Sequence, residues 1–469
     1  MVNVRNQPRS AVAPAAHHDT NHGAQRAAQA VAMLGFAVVA LDAQITNVAL
    51  PAIHQHLGGG LAGLQWVVTG YTLMFSALLL FGGTLADRAG SKNTYRYGML
   101  LFVAASAACG LAPSLPVLIG ARLVQGVGAA LVTPTCLSLI REAYDDAGDR
   151  ARAIAYWALG GSVAAAAGPL LGGVLVEATW RLIFFINLPV GLIALAVLTR
   201  VAGSPRRPSR FDWAGQVTAV LGLGALTYGC IEGGSAGFTS PRVLAAFFLA
   251  AAGAVTFLIT QARGRHPMMP LSLFRSPPVA ITLTVAFITM AGFYGLVFLQ
   301  SLYFQDVRGH SALATGLLFL PMTALVALTN PLVARVALRF GRLTPIVAGQ
   351  ISTAGGLIAL AALPVTAPVG LVAVLMIFVG VGGAFTVPPI ASLILDNVPA
   401  PTAGTASGVL NTFRQMGGSL GVAVFGAIVN ASAHFETGLR VTFIGTAILL
   451  AAATLATLTL QATSRRHPK

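Results

Sequence analysis

The stretch AAQAVAMLGFAVVALDAQITNVAL, residues 27–50, decides the fold class of this chain. It is long enough to cross a bilayer as a helix, since about 20 consecutive apolar residues suffice. Its one carboxylate, Asp42, would lie deep in the membrane, where a charged aspartate costs about 2.5–3.5 kcal/mol on insertion scales. An acid retained at that cost is a candidate functional residue, often a proton carrier. The structural alternative is an acid that only pairs with a neighbouring helix.

The composition of the whole chain fits a membrane protein. Of 469 residues, 56% are hydrophobic and only 9% are charged, whereas a soluble domain carries about 25% charged residues. Apolar runs of such length indicate helices rather than the short alternating strands of a barrel. The sequence therefore predicts an all-α polytopic membrane protein. Residues 1–26 are polar, show no signal peptide, and are expected to form a disordered tail.

Histidines and cysteines do not point to an enzyme, a metal site or a disulfide. None of the nine histidines lies deep in an apolar run, and nothing resembles a zinc site or a nucleophile–base pair. The three cysteines, Cys109, Cys136 and Cys230, each fall in an apolar run and are expected to be small core residues. No phosphate-binding P-loop is present, so ATP is not the expected energy source. We therefore expect no enzymatic activity, no metal and no cofactor.

Fourteen membrane-spanning helices are predicted, and the basic residues orient them. An even number of spans puts both termini on one side, and 22 of the 28 Lys and Arg residues lie in the tails and loops of that side. Since cytoplasmic loops carry the basic excess, both termini are expected in the cytoplasm and the spans in the inner (plasma) membrane. The net charge of +15 therefore marks topology and contact with anionic lipid, not a nucleic-acid surface. The spans lie near residues 27–50, 64–84, 95–112, 116–140, 151–176, 182–199, 213–231, 242–262, 278–300, 312–334, 343–363, 368–391, 404–430 and 439–460.

Three short matches indicate that the two ends of the chain are copies of each other. Residues 126–134 (GVGAALVTP) match residues 380–388 (GVGGAFTVP) at an offset of 254. Gly-Gly-Ser at 160–162 recurs at an offset of 257, and Arg-x-Gly at 88–90 recurs at an offset of 251. Parallel repeats are a transporter architecture, with the substrate site between the halves near the midplane. The predicted parts are a tail (1–26), a six-helix bundle (27–200), two inserted helices with linkers (201–277), a second six-helix bundle (278–460) and a cytoplasmic tail (461–469).

Two arginines, Arg122 and Arg414, lie within predicted spans. Arg122 falls roughly 9 Å, and Asp42 roughly 12 Å, below the outer ends of their helices. We therefore expect them in one polar cluster where Arg122 tunes Asp42, although Arg122 could instead bind backbone carbonyls. Arg414 is expected either to be structural, by snorkelling or by bonding carbonyls, or to contact substrate.

Two glutamates are expected near the outer surface. Glu232 at the end of the seventh span could recruit cations or simply be solvated. Glu177 and Arg181, after the fifth span, are expected to form a solvated ion pair.

Two glycine-rich motifs are further candidate functional elements. The loop GGTLADRAGSK, residues 82–92, follows the second span, and Gly83 and Gly90 permit a tight turn and close helix approach. Asp87 in this loop can bind a helix N-terminus or an arginine, while Arg88 and Lys92 favour the cytoplasmic side. The fifth span carries GGSVAAAAGPLLGG, residues 160–173, whose small side chains allow backbone-to-backbone packing. A proline within it, Pro169, bends the helix.

These motifs resemble those of the major facilitator superfamily, in particular its fourteen-helix drug/proton antiporter branch. The loop at 82–92 looks like the superfamily's signature loop, where the acid holds a cytoplasmic latch in the outward-facing state. Leu338 replaces this acid in the second copy, so the resemblance implies one latch only. Arg122 matches a fourth-helix arginine linked to proton transfer. Residues 41–53 and 180–191 resemble stretches of the first and sixth helices in the same branch.

The fifth-span motif favours export over uptake. Gly168, Pro169, Gly172 and Gly173 match the pattern of the superfamily's antiporters, whose kinked helix seals the outer side between the halves, and importers usually lack it.

The resemblance covers the spans nearly end to end. It implies a major facilitator fold and a proton-coupled antiporter that exports drugs or other bulky hydrophobic molecules by alternating access. The expected partners are a small-molecule substrate, protons and the lipid bilayer, and the expected functional unit is a monomer. The alternatives are an exporter of one endogenous metabolite or antibiotic, and a proton symporter.

Overall fold

Fifteen α-helices form the part of the chain that the computed structural model describes, namely residues 17–206, 208, 210–399 and 402–466. A 3₁₀ turn at Leu271–Arg275 precedes the tenth helix and a π turn at Tyr303–Val307 follows it. The helices are α1 (His17–Leu57), α2 (Gly60–Ala89), α3 (Ser91–Gly110), α4 (Leu115–Ala143), α5 (Ala147–Ala178), α6 (Leu182–Phe185), α7 (Asn187–Leu198), α8 (Trp213–Ala236), α9 (Pro241–Arg263), α10 (Pro277–Leu302), α11 (Ala312–Phe340), α12 (Leu343–Ala362), α13 (Val369–Asp396), α14 (Ala403–Ala431) and α15 (Phe435–Arg466).

Each predicted span coincides with helical structure, and the sixth is divided between α6 and α7. Within the described ranges, ten helices are long and apolar enough to cross a membrane. Two shorter apolar stretches lie at Leu182–Leu198 and Ala312–Val326. The chain is therefore an all-helical, multi-pass membrane protein.

The helices extend beyond the predicted spans at both chain ends. α1 begins at His17, so residues 17–26 are helical and the expectation of disorder was wrong for them. These ten residues contain no proline and a single glycine, so nothing in them stops the helix. The rest of the expected tail, residues 1–16, lies outside the described residues. α15 likewise continues to Arg466, which makes 461–466 part of the last helix, and 467–469 also lie outside the described residues.

The helices pack as two bundles with the same arrangement. In the first, α4 packs against α2 and α3, and α1 packs against α5; in the second, α13 packs against α11 and α12, and α10 against α14. A Cβ on Gly126 would meet the carbonyl of Tyr71, and one on Gly380 would meet the carbonyl of Met322. Tyr71 and Met322 are 251 residues apart, the offset already present in the Arg-x-Gly match. The inserted helices α8 and α9 pack on each other, and α8 contacts α2 and α14, one helix from each bundle.

The two bundles touch at the end of the molecule where α1 ends and α2 begins, which we call the far end. Glycines form this contact. There α5 crosses α11 at backbone distance. A Cβ on Gly173 would lie 2.7 Å from the carbonyl oxygen of Ala312, and one on Gly316 would lie 2.5 Å from that of Pro169. Only residues without a side chain allow helices to approach so closely.

Polar side chains also bond across this contact between the two bundles, which we call the seam. Ser301 of α10 donates to the carbonyl of Asn47 in α1 at 2.7 Å. Gln65 of α2 donates to the carbonyls of Val422 and Ala423 in α14, at 3.1 and 2.7 Å. These bonds satisfy the buried hydroxyl group of Ser301 and the buried NH2 group of Gln65, which would otherwise be costly in a membrane.

Glu177 belongs to the seam and does not pair with Arg181, so that expectation was wrong. Its carboxylate accepts a hydrogen bond from the backbone N–H of Leu313 at 3.3 Å. Arg181 instead donates to the carbonyls of Gly110 and Ala112. The reason is that the first turn of α11 offers free N–H groups and a positive dipole to an acid from the other bundle.

Alanine at Gly380 is expected to destabilise the protein by about 1–3 kcal/mol, because its methyl group would overlap Met322 of the facing helix. Thermal unfolding of the purified protein in detergent measures the change. Gly383→Ala is the matched control on the same helix, since a Cβ there meets nothing within 4 Å. Equal melting temperatures for the two variants would contradict the packing argument.

Candidate functional site

Asp42 of α1 and Arg122 of α4 form a buried ion pair. Nη1 of Arg122 donates to Oδ2 of Asp42 at 2.5 Å, and the two side chains are 0% and 1% exposed. This contact agrees with the depth estimate made from the sequence. The alternative role of Arg122 is present as well, because its Nε donates to the carbonyl of Val67 in α2 at 3.0 Å. Arg122 thus ties together three helices.

Two amides and a hydroxyl complete the polar cluster, and the sequence interpretation missed all three. Gln125 and Asn187 each donate to Oδ1 of Asp42, at 2.9 and 2.7 Å. Ser106 of α3 accepts from both amides, and Oε1 of Gln125 accepts from Arg122. The Asp42 carboxylate is therefore held by three charge-assisted or amide hydrogen bonds. Two features of the sequence could have indicated these residues. Gln125 follows Arg122 by one helical turn, and Asn187 is a polar residue inside the stretch 180–191.

Aromatic rings close the cluster on the side of the guanidinium. Cζ of Arg122 lies 4.3 Å from the ring centre of Tyr71 and 5.7 Å from that of Phe184. Both rings are fully buried, and such cation–π contacts stabilise a desolvated cation. The break between α6 and α7 at Ile186 brings Phe184 and Asn187 to the same site from consecutive helices.

The second bundle fills the equivalent space with apolar side chains. At an offset of 254, Arg122 corresponds to Met376 and Gln125 to Val379, both of which are buried. Asp42 corresponds to Leu296 at this offset and to Phe293 at the offset of 251 that relates α2 to α11, and both residues are apolar. The ionic cluster is therefore not needed to build a bundle of this shape.

The charges of Asp42 and Arg122 are stable in this buried cluster only because each compensates the other. Removing one partner of a buried pair costs about 3–5 kcal/mol, because the other charge stays buried and uncompensated. A proton added to Asp42 would leave Arg122 in that condition. Proton uptake therefore requires either rearrangement of the helices or entry of water, since neither side chain is reached by solvent in this conformation.

A family model for the Major Facilitator Superfamily matches residues 32–422. The chain belongs to this superfamily. The motif resemblance is thereby confirmed, and the protein is a membrane transporter rather than an enzyme.

Sequence relatives of the chain carry names from drug resistance. It is 39% identical over 401 residues to the multidrug resistance protein Stp of Mycobacterium tuberculosis, covering 85% of this chain and 74% of Stp. It is 37% identical over 428 residues to the methylenomycin A resistance protein of Bacillus subtilis, covering 90% and 92% of the two chains. It is 36% identical over 404 residues to the tetracenomycin C resistance and export protein of Streptomyces glaucescens, covering 84% and 74%.

Solved structures show the same fold at low sequence identity. A POT family transporter in complex with 5-aminolevulinic acid aligns over 95% of this chain and 96% of its own, with a TM-score of 0.69 and 14% identity. A D-xylose–proton symporter aligns over 91% and 97%, with a TM-score of 0.65 and 15% identity. At this identity the likeness supports the major facilitator fold alone.

The acid of the superfamily's signature loop makes no ion pair here. Asp87 is exposed and takes part in none of the ion pairs formed by the described residues. Gly90 adopts φ +87°, which glycine tolerates, to end α2, and a Cβ on Gly83 would meet open space. The latch suggested by the resemblance is therefore not formed in this conformation, and its role stays a prediction.

The basic residues of the signature loop anchor it to the linker before the inserted helices. Lys92 donates from Nζ to the carbonyl of Val201 at 2.5 Å and from its backbone N–H to Oγ of Ser204 at 2.9 Å. The guanidinium of Arg88 lies 5.1 Å from the ring centre of Phe211. The loop therefore contacts the segment that leads to α8, a contact that the sequence pattern did not indicate.

The glycines of the fifth-span motif face the helix that carries Asp42. A Cβ on Gly168 would lie 2.7 Å from Cβ of Gln44, and one on Gly172 would lie 2.9 Å from the carbonyl of Ile45. Gln44 and Ile45 follow Asp42 by two and three residues. The opposite face of the same motif contacts α11 at the seam, so α5 connects the polar cluster with the second bundle.

Arg414 and Glu232 lie apart from the Asp42 cluster. Arg414 is partly buried in α14 and donates to Oδ1 of Asn411 at 3.1 Å. Glu232 lies near the end of α8, where Ser235 contacts its carbonyl and carboxylate. In the described ranges no group of three or more His, Cys, Asp and Glu residues is arranged to hold a metal.

We expect that apolar residues like those of the second bundle can replace the ion pair. Arg122→Met alone should lower the free energy of unfolding by about 3–5 kcal/mol, because Asp42 stays buried and charged. Adding Asp42→Leu should restore most of the loss, since the second bundle has buried apolar residues, Met376 and Leu296, at an offset of 254 from the pair. Thermal unfolding in detergent of the two single variants and the double variant measures the coupling.

Arg152→Met is the control for this experiment, because the Arg152–Asp149 pair is 76% and 52% exposed and exposed pairs contribute about 1 kcal/mol or less. A double variant that is no more stable than Arg122→Met would show that the bundle needs the ions.

Proposed function

We propose that this chain is a fourteen-helix, proton-coupled antiporter that exports drugs or other bulky hydrophobic molecules across the cytoplasmic membrane by alternating access. Both termini would face the cytoplasm, and a single chain would suffice. The observation that carries the proposal is the sealed Asp42–Arg122 pair, a titratable group placed inside the membrane without structural need. The resistance names of the relatives support drugs as the exported molecules.

A narrower substrate range is the second candidate. The two relatives named for methylenomycin A resistance are covered over 92% and 88% of their lengths, compared with 74% for the multidrug relative. This likeness favours export of one antibiotic or metabolite by the same mechanism.

In the proposed cycle Asp42 takes a proton from the outside and releases it to the cytoplasm. Protonation removes the negative charge from the pair, so the attraction that holds α1 against Arg122 weakens. α1 contacts α5 through Gln44 and Ile45, and α5 contacts α11 across the seam. A shift of α1 against α4 would therefore reach the contact that keeps the far end closed.

One proton supplies enough free energy for strong concentration of a substrate. A membrane potential of 100 mV provides about 2.3 kcal/mol per charge, and one pH unit provides about 1.4 kcal/mol. Their sum of about 3.7 kcal/mol sustains a concentration ratio of roughly 500-fold, at 1.4 kcal/mol per factor of ten.

Asp42→Asn is expected to abolish proton-driven efflux, because the amide cannot carry a proton on and off, while the hydrogen-bonded cluster largely persists. The drug to which expression gives the strongest resistance is the substrate, and its uptake into everted vesicles is followed with and without a protonophore. Asp145→Asn, the same change at an exposed acid outside the cluster, serves as control and should retain efflux. Wild-type rates for Asp42→Asn under a proton gradient would refute the coupling role.

Gly316→Leu is expected to open the far end of the seam, because the side chain would collide with the backbone of Pro169 in α5. The measurement is labelling of Ser301→Cys by a membrane-impermeant maleimide added outside, in a chain whose partly buried Cys230 is replaced by serine. Labelling should rise several-fold relative to the chain with the native glycine.

Gly355→Leu is the control for the labelling experiment, since a Cβ at Gly355 has no neighbour within 4 Å. Unchanged labelling in Gly316→Leu would show that this contact does not close the seam.

A further inference from the structure

Arg414 differs from the other intramembrane arginine in having no carboxylate partner among the residues that the structure describes. The ion pairs of the described residues are Asp42–Arg122, Arg152–Asp149 and Arg342–Asp396, and Arg414 is in none of them. Its hydrogen-bond partner is Asn411, at 3.1 Å, and its Nε is buried without one. An intramembrane cation normally pairs with another group or marks a substrate pathway.

Arg414 lies well inside α14, away from both ends of the helix. It lies about 16 Å along the axis of α14 from Ala403, at 1.5 Å per residue. That is roughly half of a hydrocarbon core about 30 Å thick. The side chain is nevertheless partly exposed, so the protein does not enclose the arginine completely at this depth.

The direction of Arg414 is set by its neighbours on α14. Gly421 faces α10 of its own bundle, and Gly426 faces α2 of the other bundle. At about 100° per residue, Arg414 and Asn411 project into the sector between these two helices. Ala427, which contacts the inserted helix α8, lies on the other side of α14. Arg414 therefore points between the two bundles, where transporters of this architecture bind substrate.

The protein offers no acid to balance this charge at mid-membrane. It has 13 Asp and Glu residues in all, and the one deep in a span, Asp42, is already neutralised by Arg122. Tyr294 of α10 packs against Gly418, one helical turn beyond the arginine, and brings a hydroxyl group and an aromatic ring, not a carboxylate. Arg414, Asn411 and Tyr294 therefore bring a positive charge, an amide and an aromatic ring to this part of α14 and α10.

We infer that Arg414, positioned by Asn411, binds an anionic group of the transported molecule, so that the substrates are acidic amphiphiles such as carboxylates or ionised phenols. This inference rests on the proposed export function and assigns the substrate class. A guanidinium presents paired N–H donors that match a carboxylate. The buried Nε supplies one such donor that no protein group uses.

An anionic substrate also changes the driving force. Export of a monoanion in exchange for one inward proton moves two elementary charges in the directions favoured by a negative interior. At about 2.3 kcal/mol per charge per 100 mV, the potential then contributes twice as much as for a neutral drug. The class of substrate that fits Arg414 is therefore also the class that the membrane potential helps to expel.

The test compares three pyrene probes of similar size on the purified protein in detergent: 1-pyrenebutyrate, neutral 1-pyrenebutanol and 4-(1-pyrenyl)butylammonium. Fluorescence titration should show the butyrate binding at least tenfold more tightly than the alcohol. Arg414→Gln should lose that tenfold advantage and bind the alcohol within twofold of the unmodified protein. Arg414→Lys should keep most of the preference, and Arg335→Gln, a change of an exposed arginine at the end of α11, should leave all three affinities unchanged.

Three outcomes would overturn the inference. They are tightest binding of the ammonium probe, no preference for the butyrate on the unmodified protein, and equal loss of all three probes in Arg414→Gln. The comparison on the unmodified protein holds even if a variant does not fold. Binding in detergent needs no proton gradient, so a failure of Asp42→Asn to stop efflux would refute proton coupling without touching this result.

Discussion

The desolvation of Asp42 and Arg122 is the constraint on which the first bundle depends. Transfer of two ions out of water is costly, and their mutual attraction offsets that cost only when further hydrogen bonds satisfy them. Here Gln125, Asn187 and the carbonyl of Val67 provide those bonds, and they come from α4, α7 and α2. The positions of these helices relative to α1 are thereby specified by polar geometry rather than by apolar packing alone.

The second bundle shows that the same shape can be built without ions. At the offset of 254 the residues that correspond to the pair are Leu296 and Met376, which belong to one apolar cluster in a bundle with the same helix arrangement. Since buried ion pairs are often no more stabilising than well-packed apolar residues of similar volume, stability does not explain why one bundle keeps the pair. The asymmetry between two copies of one fold is therefore an argument for function that does not depend on any relative.

Much of this architecture could be predicted from the sequence because it depends on length and composition. Apolar runs define the spans. The match between Gly126 and Gly380 indicated that both glycines make the same kind of helix contact, one with Tyr71 and the other with Met322. The contact of Asp42 with Arg122 followed from depth along two helices. The donors Gln125 and Asn187 were missed because helix rotation decides which polar residues face each other, and rotation is a property of packing.

The errors at helix ends have a similar origin. Glu177 was expected to pair with Arg181, its neighbour in sequence, but the N–H groups of α11 lie nearer in space. The start of α1 was placed at the polar-to-apolar change, whereas a helix continues until a residue stops it. Local patterns report which residues tolerate lipid, not where hydrogen bonding ends.

The two intramembrane arginines show how one residue type serves opposite purposes in one membrane. Arg122 is enclosed by a carboxylate, the side-chain amide of Gln125, a backbone carbonyl and two aromatic rings, so its charge is balanced before any ligand arrives. Arg414 keeps a buried N–H donor that has no partner among the described residues, so an anion in the space between the bundles would balance its charge. Electrostatic interactions strengthen where water is scarce, so an anion entering that space gains most from Arg414 when the bundles close around it. A substrate that stabilises the closed state in this way would assist the conformational change that carries it across.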